Sequence, residues 1–308
     1  MAQMSVMKLR VGIWLALWGL ALPALAVLQT NLPSVADTTL SETYPSNNLG
    51  GLAQVNSGVT QNGERNRGLY RFDITGTIPA GAIILSADLV LEVELVPSGG
   101  VPFADFDLHR VLQPWGEGGG TSARGQGAPA LTNEADWFYR FAFTTNTWSA
   151  PGGAPTNDYT AASSATQTIY GPDNSPYTFG PNAQLAADVQ LWLDQPQTNF
   201  GWMLICADEV TFWSARRFGS RENTSLPPRL ELQYLVPPRI DQAQQVGSQF
   251  NLSFLALPGQ NYMVLFSASM LATSWQPLAN VGPPDVVTRV LVIDPMTTTQ
   301  RFYRVLAY

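Results

Sequence analysis

The stretch "AIILSADLVLEVELV", Ala82–Val96, alternates with a period of two: Leu89, Leu91, Val93 and Leu95 fall on one side, and Val90, Glu92 and Glu94 on the other. Successive side chains of a strand point to opposite faces, so this spacing predicts a β-strand with one face in a core and one in water. Segments of the same kind lie on either side of it. "GLYRFDI", "DFDLHRVL", "WFYRFAF", "FGWMLICA", "EVTFWSA" and "PRLELQYLV" are short apolar runs separated by turn-forming residues. With charged residues at only 13%, 26 glycines and 23 prolines, the chain reads as an all-β sandwich with long loops. One helix interrupts the series: Pro181-Asn182 can start it, Leu185, Val189 and Trp192 or Leu193 recur at helical spacing, and Gln195-Pro196 stops it. Its apolar stripe is expected to cover an open end or edge of the sandwich.

Two boundaries divide the 308 residues. Lys8 and Arg10 precede the apolar run "VGIWLALWGLALPALA", which ends in a small-residue site, so residues 1–26 read as a signal peptide, with a retained N-terminal anchor as the alternative. The expected product is an exported, extracellular protein. The adjacent prolines of "VPPRI", residues 236–240, read as a stiff linker between a β-sandwich over 27–235 and a smaller β-sandwich over 241–308. In the smaller one, "QFNLSFLA", "YMVLFSAS", "WQPLANV", "VTRVLVID" and "RFYRVLA" are the candidate strands.

Charge and rare residues exclude several functions. Of 16 basic residues, two lie in the leader, so 14 face 23 acidic ones and the net charge becomes −9, with every remaining base an arginine. Such a chain is repelled by nucleic acid and by anionic lipid. Cys206 is the single cysteine, which excludes an internal disulfide, and "GWMLICA" marks it as a buried thiol. The single histidine, His109, excludes a multi-histidine zinc site, and its place in "DLHRVL" marks it as structural. "GEGGGTSARGQG" lacks the lysine and the helix of a phosphate loop. No cofactor and no catalytic cluster is expected. Asp105 with Asp107, and Glu92 with Glu94, each share a strand face and could hold Ca²⁺, although a solvated strand face explains them equally well.

Arginines and aromatic residues are the remaining candidates for binding. Arg65, Arg67 and Arg71 lie in "ERNRGLYRFD", and Arg216, Arg217 and Arg221 in "ARRFGSREN". The planar guanidinium suits bidentate pairing with a carboxylate, of a uronic acid or of the protein itself. Arg71 shares a face with Asp73 and Arg221 adjoins Glu222, so these four are read as structural ion pairs. Arg65, Arg67, Arg216 and Arg217 are left as ligand contacts. Trp148 and Tyr159, with Tyr170 and Tyr177, sit in a Gly-, Pro- and Ser-rich region suited to sugar stacking or to tucking into the sandwich rim.

Several segments in order resemble one family. "ADTTLSETYPSNNLGG", "NRGLYRFDITGTIPAGAIILSADLVLEVE", "LHRVLQPWGEG", "AADVQLWLDQPQTNFGWMLI" and "RRFGSREN" before "PPRLELQY" are similar to bacterial extracellular DNRLRE-domain proteins, over about Ala36 to Tyr234. The resemblance implies a jelly-roll-like β-sandwich, exported and related to carbohydrate-binding modules, among them alginate binders that use basic surface side chains. This chain differs in having no lysine beyond its leader and in stretching the compact "GGD" to "GGAPTND", Gly152–Asp158. The tail resembles a small β-sandwich module appended to many bacterial secreted proteins. The expected function is therefore non-catalytic binding of an extracellular polysaccharide. A surface or matrix module that docks an envelope protein, and a lyase using Tyr and Arg, are the alternatives.

Overall fold

The computed structural model describes residues 27–271, 274–295 and 300–308, so the expected signal peptide lies outside the described residues. Among the described residues the protein is all-β with one short α-helix: a large antiparallel sheet precedes small antiparallel sheets near the C-terminus. Contacts divide the chain into two compact units that meet between Pro237 and Pro238.

The 14-residue strand Leu28–Ser41 organises the larger unit. Its first half, Leu28 to Pro33, pairs with Arg229–Leu235, and its second half, Ser34 to Ser41, pairs with Arg65–Phe72. A register shift between Ser34 and Ala36 separates the halves, and such a bulge bends one strand from one sheet face into another. On one side the order continues through Ile83–Leu91 to Tyr177–Phe179. On the other it continues from Arg65–Phe72 through Trp202–Cys206 and Ala104–Arg110 to Ala165–Ile169. Gln54–Val59, Arg216–Gly219 and Val93–Leu95 form a branch that pairs onto Arg65–Phe72.

One apolar core joins these parts. Ala87, Leu89, Leu91 and Val93 point into it with Tyr70, Phe72, Phe106, Trp202 and Phe218, and the rings of Phe106 and Phe218 meet edge-on at 5.8 Å. Leu95, expected on the same face, is 50% exposed because the strand breaks at Glu92 and its continuation is three residues long. The helix, Ala183–Asp194, begins where Asn182 Oδ1 accepts the Leu185 N–H at 2.9 Å. Leu185, Val189, Trp192 and Leu193 are its buried stripe, and the Trp192 and Trp202 rings meet at 4.4 Å.

Two expected strands are turns instead. In "WFYRFAF" the Asp136 carboxylate accepts the N–H groups of Phe138 and Tyr139, and in "EVTFWSA" the Asp208 carboxylate accepts the Val210 N–H and the Thr211 hydroxyl. An aspartate that bonds the backbone two residues on competes with a strand ladder, and here it prevails. The C-terminal unit contains two three-stranded antiparallel sheets, with Leu252, Phe254, Tyr262, Val264 and Val292 buried in its core.

Candidate functional site

Residues 65, 67, 69 and 71 of the strand Arg65–Phe72 share the face opposite Tyr70 and Phe72, and therefore point away from the main core. A second apolar layer covers that face. Leu40, Leu69, Met203 and Ile205 come from the sheet, and Trp115, Trp137, Trp148 and Tyr159 descend onto them from the long connection after Val111. Arginine in this layer rests on aromatic faces: Arg65 and Arg67 lie 5.3 and 5.9 Å from the Trp137 ring, Arg67 lies 5.8 Å from Tyr159, and Arg71 lies 5.5 Å from Trp115.

Each of the first two arginines also holds a carboxylate. Arg65 donates through Nε and Nη2 to the two Glu42 oxygens, both at 2.9 Å, and these hydrogen bonds hold the Glu42 carboxyl below its ordinary pKa. Arg67 donates through Nε and Nη2 to Glu209 at 2.8 and 2.6 Å, while its Nη1 donates to the carbonyls of Gly152 and Gly153 at 2.9 and 2.8 Å. Burial opposes the Arg67 charge, yet Glu209 outweighs it and leaves the guanidinium more firmly protonated than usual. Gly152, with φ of +80°, lies so close to Trp137 that a Cβ there would stand 2.4 Å from the indole. The Arg67 forks and this glycine together fix the loop after Ala150 against the layer.

The result is an open cleft of about 500 Å³ lined by Glu42, Arg65, Arg67, Trp137, Phe138 and Pro151, among others. That volume lies within the range of small-ligand sites. Phe138 is 39% exposed and gives the cleft its accessible ring, whereas Trp137 is only 2% exposed and forms the wall. Arg65 Nη1 has no acceptor among the described residues, so a guanidinium donor and the remaining Glu42 lone pairs are left for a ligand.

Of the expected ligand contacts, the structure brings Arg65 and Arg67 together and separates the others from them. Arg216 is 1% exposed and donates to the carbonyls of Ser214, Ala215 and Val101, with no carboxylate partner among the described residues. Its strand neighbour Phe218 lies in the main core, so Arg216 points inward on the same face. Burial pulls the Arg216 pKa down. Arg217 points to the opposite face, half-buried, with its Nε unpartnered. Neither lines the cleft. Trp148 is buried with its Nε1–H donated to Asp136 O, and Tyr159 is 6% exposed beneath Arg67. Both rings pack instead of presenting a face. Tyr177 is also buried, and Tyr170, 48% exposed, lies against Phe103.

The structural pairs divide as well. Asp73 accepts from the Thr75 N–H and hydroxyl and makes no ion pair with Arg71 among the described residues, because the strand ends at Phe72 and the chain turns there. Arg221 does pair with Glu222, at 3.1 Å, and more closely with Glu117, at 2.5 Å. The Arg221 N–H and the Asp37 N–H close the group by donating to Asp37 Oδ2 and Glu117 Oε1. Burial pushes Asp37 up to about 7. Of the carboxylates considered for calcium, Asp105 and Asp107 accept from Thr168 and Thr166, Glu92 pairs with Arg229, and Glu94 is exposed. His109 Nδ1 meets Thr160 O at 2.8 Å, and burial raises the Cys206 pKa, which disfavours its thiolate.

Sequence reading missed Glu42, Glu209, Trp137 and Phe138. Glu42 was within reach, since it follows directly the strand that pairs antiparallel with Arg65–Phe72. The class defined so far is a two-unit, all-β protein with an arginine- and aromatic-lined cleft on the outer face of its larger sheet. No family model matches the chain, and no curated protein matches it.

Proposed function

We propose that the protein is an extracellular, non-catalytic carbohydrate-binding protein, and that the Glu42–Arg65–Phe138 cleft holds the sugar. The observation that carries this reading is the convergence there of the free Arg65 Nη1, the Glu42 carboxylate and the exposed Phe138 ring. A donor beside an acceptor suits adjacent hydroxyls, and a flat ring suits the C–H face of a pyranose. The charges in the cleft are matched: Arg65 is balanced by Glu42, and Arg67 by Glu209 behind the wall. With matched charges in a chain of net −9 outside its leader, a neutral, hydroxyl-rich glycan is favoured over a polyuronate. The resemblance to DNRLRE-domain proteins supports the same class of ligand with a different charge preference. Affinity electrophoresis through gels containing neutral glycans or polyuronates tests the proposal. Retardation by a neutral glycan is expected, and migration of the folded protein unaffected by any of them contradicts it.

One observation favours a second role, for the C-terminal unit. Leu255, Leu291 and Ile293 are 46%, 60% and 47% exposed on adjacent strands of one small sheet. An apolar sheet face of this kind suits docking to an envelope protein. Pull-down from the envelope fraction with residues 238–308 deleted, against the full chain, measures that role: loss of a stoichiometric partner supports it and retention refutes it.

A further inference from the structure

Three acidic residues far apart in sequence converge at one point: Asp37 of "ADTTL", Glu117 of "WGEG" and Glu222 of "SRE". One carboxylate oxygen from each lies within 4.8 Å of the others. Oxygens bound to one Ca²⁺ at about 2.4 Å can be no farther apart than about twice that. The group is formed by the segments that bear the family resemblance, and the proposed sugar cleft uses none of it.

Proximity of carboxylates alone would describe a solvated patch, but Asp37 is not solvated. It is 1% exposed; its Oδ2 accepts the Arg221 N–H at 2.9 Å, and its Oδ1 is buried without a well-formed hydrogen bond, because the neighbouring Ser34 hydroxyl is directed to the carbonyls of Ala36 and Arg71, at 3.1 and 3.3 Å. A buried carboxylate oxygen without a partner is strongly disfavoured unless a cation or a donor meets it. Glu117 presents the same asymmetry. Its Oε1 takes both the Asp37 N–H and the Arg221 Nε–H, while Oε2 receives no donor among the described residues. Charge leads to the same place: three carboxylates face one guanidinium, Arg221, which leaves two negative charges uncompensated when all are ionised. A divalent cation cancels that excess.

We propose that Asp37, Glu117 and Glu222 form a calcium site that ties the strand Leu28–Ser41 to the two loops carrying the glutamates. The donor set is all oxygen, with no nitrogen or sulfur, which selects a hard cation. Glu117 and Glu222 are partly exposed, so water reaches the open side and completes the irregular shell that Ca²⁺ accepts and Mg²⁺ resists. Arg221, whose Nε meets Oε1 of both Glu117 and Glu222, orients the two glutamates.

The test uses the full mature chain, stripped with EDTA and titrated calorimetrically with CaCl₂, alongside thermal unfolding in EDTA, in Ca²⁺ and in Mg²⁺ at matched ionic strength. One Ca²⁺ per chain is expected, with Tm rising by about 5 to 10 °C once calcium exceeds its Kd about 100-fold. Asp37→Asn and Glu222→Gln should each reduce the affinity at least about tenfold and abolish the rise. Glu222→Gln, at the open side, serves if Asp37→Asn fails to fold. Absence of binding heat together with a Tm indifferent to Ca²⁺ would overturn the site, and so would an Asp37→Asn protein more stable than the parent in both EDTA and Ca²⁺. An equal response to Mg²⁺ would overturn the assignment to calcium.

Discussion

Replacing Arg67 with methionine keeps the length and packing of the stem against Trp137 and Tyr159 and removes only the guanidinium. Four hydrogen bonds vanish: two to Glu209 and one each to the carbonyls of Gly152 and Gly153. The pair is well enclosed, with side-chain exposures of 7% for Arg67 and 19% for Glu209. Removing one partner of a buried ion pair costs about 3 to 5 kcal/mol, because the other charge is left stranded. Glu209 can regain some water from its exposed edge, which places the expected loss at the lower end, about 3 kcal/mol. For a unit of about 200 residues that corresponds to a fall in Tm of roughly 6 to 12 °C. Urea unfolding followed by tryptophan fluorescence measures it. Arg67→Met/Glu209→Gln should recover a substantial part of the loss, since the stranded charge is gone and only the two carbonyls remain unpaired. Arg67→Lys should not recover it, because a point charge cannot serve a carboxylate and two carbonyls as the fork does. An Arg67→Met protein within about 1 kcal/mol of the parent would refute the claim that this side chain anchors the cleft wall.

Three further outcomes follow from the same geometry. Phe138→Ala should weaken glycan binding about tenfold with little change in Tm, since the ring is 39% exposed, and calorimetric titration beside thermal unfolding separates the two effects. Arg216→Met should destabilise by about 2 to 3 kcal/mol, as three carbonyls lose their donor while one unpaired buried charge is relieved, and glycan affinity of the folded protein should stay unchanged. Glu42 has a folded pKa held down by Arg65, so its contribution to stability is fully present above the ordinary carboxylate pKa and is lost as pH falls through the lowered folded value. Sugar binding should fade over that acidic window, and Glu42→Gln should remove the pH dependence there.

The elements with a clear period were legible. The helix was readable from its Asn182 cap to its Pro196 stop, and the strand around Leu89 from its alternation. The turns in "WFYRFAF" and "EVTFWSA" were not, because apolar content looks the same in a strand and in a loop that Asp136 or Asp208 has drawn into a turn. The arginines show a different limit. Which carboxylate meets which guanidinium depends on topology: Glu42 is 23 residues from Arg65, but Glu209 is 142 residues from Arg67. Arg216 and Arg217 looked equivalent as neighbours, yet a strand sends adjacent side chains to opposite faces, so one points inward and is buried and the other is a half-buried residue on the opposite face. Trp148 and Tyr159 could be read either as sugar-stacking rings or as rings tucked into the rim, and the second holds, because the long connection that carries them folds back and needs a core of its own.

The central claim is that the cleft binds sugar through the free Arg65 Nη1, the Glu42 carboxylate and the Phe138 ring, with its charges already matched. Calorimetric titration of the protein with the neutral glycan that retards it most, at about 50 and about 500 mM salt, tests that claim most directly. The account predicts an affinity that salt leaves nearly unchanged and that Glu42→Gln lowers at least about tenfold, without a matching loss of stability. Binding that collapses in the higher salt, or that survives Glu42→Gln intact, would contradict it.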